Sequence, residues 1–285
     1  MQSKPRLAII GPGLLGGSIG LSCREEYDVR FWGRNSEKLT PITEAGFFSS
    51  TDLAAVIDKA VIIILCIPVP IMCNMAQRLI DAGLTEKQLI SDVGSVKGSV
   101  LNELQPIFGS QGFRFIGSHP MAGSELTGFQ AATASLLKGA SCILTPDEFT
   151  SAEDLQALHT FWQKLGMVTY ELSASAHDSI ISRVSHVPHI LAAVCSHVAL
   201  QPESNSKFAG GGLRDTSRVA SGHAGLWTGI LSENQESIVP HLDETIVRLQ
   251  HYREALKDND VDLLHHLLEE DKQKRDQAYS LGSKQ

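Results

Sequence analysis

The sequence predicts an α/β fold, a doubly wound sheet followed by an all-helical C-terminal part. Three observations carry this. Short β-rich runs alternate with amphipathic stretches through the first half. Those runs are almost continuously apolar, as strands buried on both faces are. After about Leu172 strand-like runs disappear and long helical patterns take over.

Taken in order, Arg6–Ile10, Val29–Trp32, Val61–Cys66, Leu89–Ser91, Phe113–Ile116 and Ser141–Leu144 read as strands. Each is rich in Val, Ile, Phe or Leu and bounded by Gly, Pro, Asp or Ser. Helical patterns at Asn35–Ala45 and Ile71–Ala82 follow the second and third strands, and the alternation predicts a parallel sheet. A helix over Ala152–Leu165 and a strand over Val168–Glu171 close the first domain, residues 1–172. The second, residues 173–285, is expected to be helical over Ala174–Ala199, Leu226–Leu256 and Val261–Ala278. A glycine-rich loop, Gly210–Asp215, is expected between the first two of these helices.

The 285 residues include 42% hydrophobic and 20% charged residues, with a net charge of −8. That apolar share supports a sizeable core and excludes wholesale disorder. With no Lys/Arg-rich run, neither nucleic acid nor an anionic membrane is an expected partner. The apolar stretch Val61–Cys73 is about half the ~20 residues that span a bilayer. Glycines and Pro12 interrupt the apolar N-terminus too early for a signal peptide. Five cysteines without a C-x-x-C pair form neither a disulfide framework nor a zinc site. A cytoplasmic protein is expected.

The first strand runs into Gly11-Pro12-Gly13-Leu14-Leu15-Gly16, a G-x-G-x-x-G match. Its glycines allow a tight turn, close approach of a pyrophosphate and helix–strand packing, and the helix start offers free N–H groups. Alone the pattern is unspecific; after a strand and opening a βαβ unit, it predicts dinucleotide binding. The second strand ends in Trp32-Gly33-Arg34-Asn35, with no carboxylate placed for a ribose 2′-hydroxyl. Arg34 either holds a 2′-phosphate or opens a helix into solvent; we expect NADP, with NAD as the alternative. Pro68, at the end of the third strand, completes the expected cofactor-facing set with Ser95.

Ser95 lies in Asp92–Lys97 and His119 in Gly117–Gly123, each after a strand end where open α/β sheets bind ligands. On spacing alone His119 is as much a structural as a catalytic candidate. His186 and His189, at i and i+3, would share a helix face, but no H-E-x-x-H pattern or nearby carboxylate completes a metal site. No metal is expected. Arg214, Asp215 and Arg218 form either a solvated charged face or a carboxylate clamp.

Five ordered segments resemble the prephenate/arogenate dehydrogenase family of tyrosine biosynthesis. They are Gly11–Gly20 (GPGLLGGSIG), Asp92–Lys97 (DVGSVK), Gly117–Gly128 (GSHPMAGSELTG), Ser185–His189 (SHVPH) and Leu213–Ala220 (LRDTSRVA). The resemblance covers nearly the whole chain and implies a Rossmann domain followed by a helical dimerisation domain, hence a homodimer. It implies that His119 is the catalytic histidine at the ring hydroxyl and that Ser95 orients that hydroxyl and the histidine near the nicotinamide. It further implies that Arg218 binds a substrate carboxylate and that His186 and Trp227 line the substrate pocket. The implied reaction is NAD(P)-dependent oxidative decarboxylation of prephenate and/or arogenate. The alternatives are a related β-hydroxyacid dehydrogenase or imine reductase, and a non-catalytic dinucleotide sensor. Gly33-Arg34 departs from the acidic residue common in NAD-using members. No regulatory domain or chorismate mutase segment is recognised, so feedback inhibition by tyrosine is not implied.

Overall fold

The computed structural model describes residues 4–124 and 126–282; Glu125, within the Gly117–Gly128 segment, lies outside them. The strands are β1 (Arg6–Ile10), β2 (Asp28–Trp32), β3 (Phe48–Ser50), β4 (Ala60–Leu65), β5 (Leu89–Asp92), β6 (Arg114–Pro120), β7 (Ser141–Thr145) and β8 (Val168–Glu171). They form one sheet in the order β3-β2-β1-β4-β5-β6-β7-β8. Strand order reverses between β1 and β4, the switch point where such sheets take ligands.

The helices of this half are α1 (Leu14–Cys23), α2 (Thr40–Glu44), α3 (Leu53–Ile57), α4 (Met72–Asp81), α5 (Gly98–Gly109) and α6 (Ala152–Lys164). Successive residues of β1 point to opposite faces. Leu7 and Ile9 pack with Ile19, Leu158, Phe161 and Trp162. Ala8 and Ile10 pack with Met72, Met75, Leu79, Val100 and Leu104. Both faces are thus covered, which is why β4 reads Ala60-Val61-Ile62-Ile63-Ile64-Leu65 without alternation.

The remaining helices are α7 (Ala174–Ile181), α8 (Val187–Ala199), α9 (Gly211–Ser217), α10 (Ala224–Glu233), α11 (Gln235–Lys257) and α12 (Val261–Gly282), with a π-helical turn at Ser182–His186 joining α7 to α8. By internal contacts the chain divides into two compact units, Met1–Gln235 and Glu236–Gln285. Helices α7–α10 therefore share a unit with the sheet, although the change of sequence character falls at Leu172. In the second unit, Arg248 Nη2 and Tyr252 Oη donate to Asp271 at 2.8 and 2.6 Å, tying α11 to α12.

Four features differ from the sequence expectation. The sheet is not wholly parallel: β7 runs antiparallel to β6, with His119 opposite Ile143. Among the described residues of the connection between them there is a short turn at Phe129–Ala131 and no crossover helix, and a parallel return needs a crossover. This pairing also extends β6 through Pro120, so His119 sits in a strand rather than in the loop after one. Strand β3 and helices α3 and α5 went unpredicted, β3 and α3 because they are too short for a periodic signal. The expected loop Gly210–Asp215 is largely helical, α9 starting at Gly211. Glycine costs about 1 kcal/mol in a helix relative to alanine, and α9 forms here in contact with α8. Finally, the Leu226–Leu256 helix breaks at Asn234, whose side chain is engaged elsewhere.

Candidate active site

The turn after β1 uses its glycines in three different ways. Gly11 has φ +108°, and a Cβ there would run into the Cys66 carbonyl. A Cβ at Gly16 would meet the Gly11 carbonyl and the Ile9 side chain. At Gly13 a Cβ would meet nothing within 4 Å. The first and third glycines therefore hold the turn and helix against the sheet, and the second leaves an open face. Helix α1 starts there with no side-chain cap and no acidic residue in its first turn. Its free N–H groups and positive dipole end fit a pyrophosphate. Leu14 and Leu15 are half-buried, and Pro68 is exposed just before Val69. Past β2, Gly33 N–H donates to the Ser50 carbonyl while Arg34 is exposed and, among the described residues, makes no ion pair. Trp32 is occupied, its indole N–H donating to Thr51 O at 2.9 Å and Arg78 lying over its ring.

Across the switch point, β5 and β6 deliver a buried polar cluster. Lys97 Nζ donates to Asp92 Oδ2 and, at 3.0 Å, to the Ser118 carbonyl. Asp92 also accepts from the backbone N–H groups of Gly94 (2.7 Å) and Ser118 (3.2 Å). Burial pushes the Lys97 ammonium below its ordinary pKa, against the pull of Asp92. Next to this pair His119 Nδ1 meets His177 Nε2 at 2.8 Å, and His177 Nδ1 meets Asp178 Oδ1 at 2.7 Å. The Asp178 carboxylate in turn accepts from the backbone N–H of Lys97 (2.8 Å) and of Gly98 (2.7 Å), capping α5 from α7. Burial, then His177 and Lys97, hold His119 well below the usual imidazole pKa. Burial also lowers His177, with its bond to Asp178 opposing. For Asp178, burial pushes upward, but hydrogen bonds from His177, Lys97 and Gly98 win and leave it below the usual carboxylate range.

A second group adjoins through Asn234. Its amide donates to the Asp178 carbonyl at 2.9 Å and contacts His186 Nδ1 at 3.1 Å. His186 is buried, and burial lowers its pKa to about 4. It stands edge-on to Trp227, with centroids 6.2 Å apart, while His189 stacks on the same indole at 3.5 Å. Gly222 closes the turn that carries Arg218, and a Cβ there would strike Trp227 and lie 3.2 Å from His189. Arg218 itself is exposed, as is Arg214.

The structure thus gathers His186, Trp227 and the Arg218 turn, and it joins His119 to His177. Ser95 is half-buried after β5 and makes no side-chain hydrogen bond among the described residues. His177, Asp178, Lys97 and Asn234 were not singled out by sequence reasoning. A His-Asp pair inside an ordinary amphipathic helix gives no local signal. His189 was weighed only as a metal partner for His186; no group of three or more metal-binding side chains occurs among the described residues. Nor is any described helix long and apolar enough to cross a membrane.

A family profile described as the nucleotide-binding domain of prephenate dehydrogenase matches residues 23–171. The corresponding dimerization-domain profile matches residues 173–270. Prephenate dehydrogenase of Bacillus subtilis is 30% identical over 96% of this chain and 76% of its own. Cyclohexadienyl dehydrogenase of Zymomonas mobilis is 31% identical over 93% of this chain and 94% of its own. The crystal structure of A. aeolicus prephenate dehydrogenase with hydroxyphenyl propionate and NAD+ superposes with a TM-score of 0.88. It is 29% identical and covers 97% of this chain and 99% of its own.

Proposed function

The chain belongs to the prephenate dehydrogenase family, and from that premise we propose how its residues divide the work of oxidative decarboxylation. It is an NAD(P)-dependent oxidoreductase acting on prephenate and/or arogenate, giving 4-hydroxyphenylpyruvate or tyrosine. The observation that carries the reading is the buried His119 at the end of β6, hydrogen-bonded to His177 and across the sheet's switch point from an open glycine turn.

In this reading Gly11, Gly13 and Gly16, with the N–H groups of Leu14 and Leu15, hold the dinucleotide's phosphates, and Pro68 and Ser95 flank the nicotinamide. The cofactor, when bound, supplies the oxidised nicotinamide that takes the hydride from the ring carbon bearing the hydroxyl. His119 accepts the hydroxyl proton as a general base whose lowered pKa keeps it neutral at working pH. Ser95 orients the hydroxyl. Arg218 binds a substrate carboxylate, bidentately where geometry allows, and His186 and Trp227 wall the pocket. As the ring carboxylate leaves as CO₂, its bonding electrons pass into the ring and onto the oxygen, and His119 returns the proton there. Aromatisation supplies the driving force, so the protein's task is positioning and polarisation.

The finer assignments are NADP over NAD, supported by exposed Arg34 and the absence of a carboxylate after Trp32, and a homodimer. The exposed apolar side chains Ile246, Leu249, Leu256 and Leu268 support a covered helical face. Free cysteines throughout support a reducing, cytoplasmic location.

The test is reduction of NADP and NAD by the purified protein with prephenate and with arogenate, alongside His119→Asn. Substrate-dependent reduction that His119→Asn cuts by about 10²–10⁴-fold supports the reading. No reduction with either substrate refutes it, and a variant retaining more than about a tenth of wild-type kcat removes His119 as the base.

A further inference from the structure

Resting on the reading of His119 as the base, we infer that His177 and Asp178 are positioning residues that fix which nitrogen of His119 is free to act and carry the charge it acquires. Asp178 is the fixed end of the chain. Its carboxylate accepts from three donors, His177 Nδ1, Lys97 N and Gly98 N, all at 2.7–2.8 Å. An ionised carboxylate can only accept, so the proton on His177 sits on Nδ1. A neutral imidazole with its proton on Nδ1 offers Nε2 as an acceptor. That atom is 2.8 Å from His119 Nδ1, which must therefore be the donor. The proton of neutral His119 is thus on Nδ1, leaving Nε2 as the lone-pair nitrogen. No other chain of donors and acceptors satisfies both bonds while Asp178 is ionised and His177 neutral.

The same chain accounts for where the charge goes. An imidazolium buried without a partner is costly. Among the neighbours of His119, Lys97 is already engaged by Asp92, so its charge is compensated locally. Asp178 is the carboxylate left to balance a proton arriving at His119 Nε2. It acts through one intervening ring, with two short hydrogen bonds already in place. The sequence contains the device that holds it there: a Cβ at residue 98 would come within 2.7 Å of Asp178 Oδ2. Only glycine lets the α5 backbone approach that carboxylate so closely.

Three variants separate the roles. Asp178→Asn removes the charge that balances a protonated His119 and sets an amide NH₂ against one of the two backbone N–H groups, Lys97 or Gly98, from which the carboxylate accepts. His177→Gln keeps an acceptor for His119 but breaks the path to Asp178, and His177→Leu removes both. We expect kcat for prephenate or arogenate oxidation to fall by about 10²–10⁴-fold in Asp178→Asn, with KM values for substrate and cofactor changed only a few-fold. His177→Gln should fall between wild type and His177→Leu. A folded Asp178→Asn or His177→Leu enzyme with kcat within about threefold of wild type overturns the inference. Histidine-selective ¹⁵N NMR of the wild-type protein reads the tautomer directly, independently of whether the variants fold. His119 protonated on Nδ1 is the expected state, and protonation on Nε2 sinks the proposal. Loss of activity in His119→Asn with none in the other variants would leave the base assignment standing and remove only the relay.

Discussion

The imidazole of His189 lies flat on the indole of Trp227, with ring centroids 3.5 Å apart and planes 8° from parallel. Gly222 makes this possible, because any Cβ there would enter the space the two rings occupy. The turn before it, Arg218–Ser221, packs on α8, the helix that carries His189. Arg218 is therefore presented from a turn anchored on the aromatic wall it would share with a substrate.

From that placement, Arg218→Ala should raise KM for substrate by about 10- to 150-fold, the worth of one charge-assisted hydrogen bond, while kcat changes far less. Carboxylate binding is much the same in ground and transition states, so its loss appears in KM. Steady-state kinetics decide this. An unchanged KM would move the carboxylate contact elsewhere, with exposed Arg214 the next residue to test.

Cofactor preference should follow Arg34. A 2′-phosphate brings about two negative charges, which a guanidinium holds bidentately and no carboxylate in Gly33-Arg34-Asn35-Ser36 opposes. At this exposed position the expected preference for NADP over NAD is about 5- to 150-fold in KM, and Arg34→Ala should abolish it. A wild-type enzyme that favours NAD, or a variant with unaltered preference, contradicts the assignment.

The glycines of the first turn should fail in different ways. Gly11→Ala forces a positive φ on a side chain that also meets the Cys66 carbonyl. It should cost about 1–3 kcal/mol, or roughly 2–4 °C in Tm for each of those kcal/mol. Gly13→Val adds bulk to open space, so Tm should hold while cofactor Kd rises about tenfold or more. Thermal unfolding and fluorescence titration separate the two effects. Equal Tm losses would mean that Gly13 is structural.

Stability should fall on the acid side from about pH 6.5. Burial lowers the pKa of His119, His177, His186 and His189 below 6.5 in the folded chain. As pH drops through 6.5 the unfolded chain takes up these protons before the folded one does, so stability present above that pH is progressively lost. Each such histidine contributes up to about 1.4 kcal/mol per pH unit until its folded pKa is reached, about 4 for His186. Urea midpoints between pH 7.5 and 5 test this. His186→Gln should flatten the slope, and a midpoint independent of pH over that range would contradict it.

The sequence by itself determined the doubly wound sheet and the glycine turn, while the switch point came from the strand order of the folded sheet. Strand alternation, continuous apolar strands and a G-x-G-x-x-G after β1 are local signals, set by which residues pack on two faces and which tolerate a positive φ. It also put Ser95, His119 and Arg218 in view, through short ordered motifs. Only the tertiary structure decided what His119 is bonded to. Its partner His177 stands 58 residues away, on a helix whose own pattern requires nothing but an apolar stripe. Likewise the antiparallel turn of β7, which lengthens β6 to include His119, depends on pairing across the sheet. Asn234, Gly222 and Gly98 matter through neighbours distant in sequence. Hydrogen-bond direction and close approach are properties of pairs in space, and no spacing along one chain encodes them.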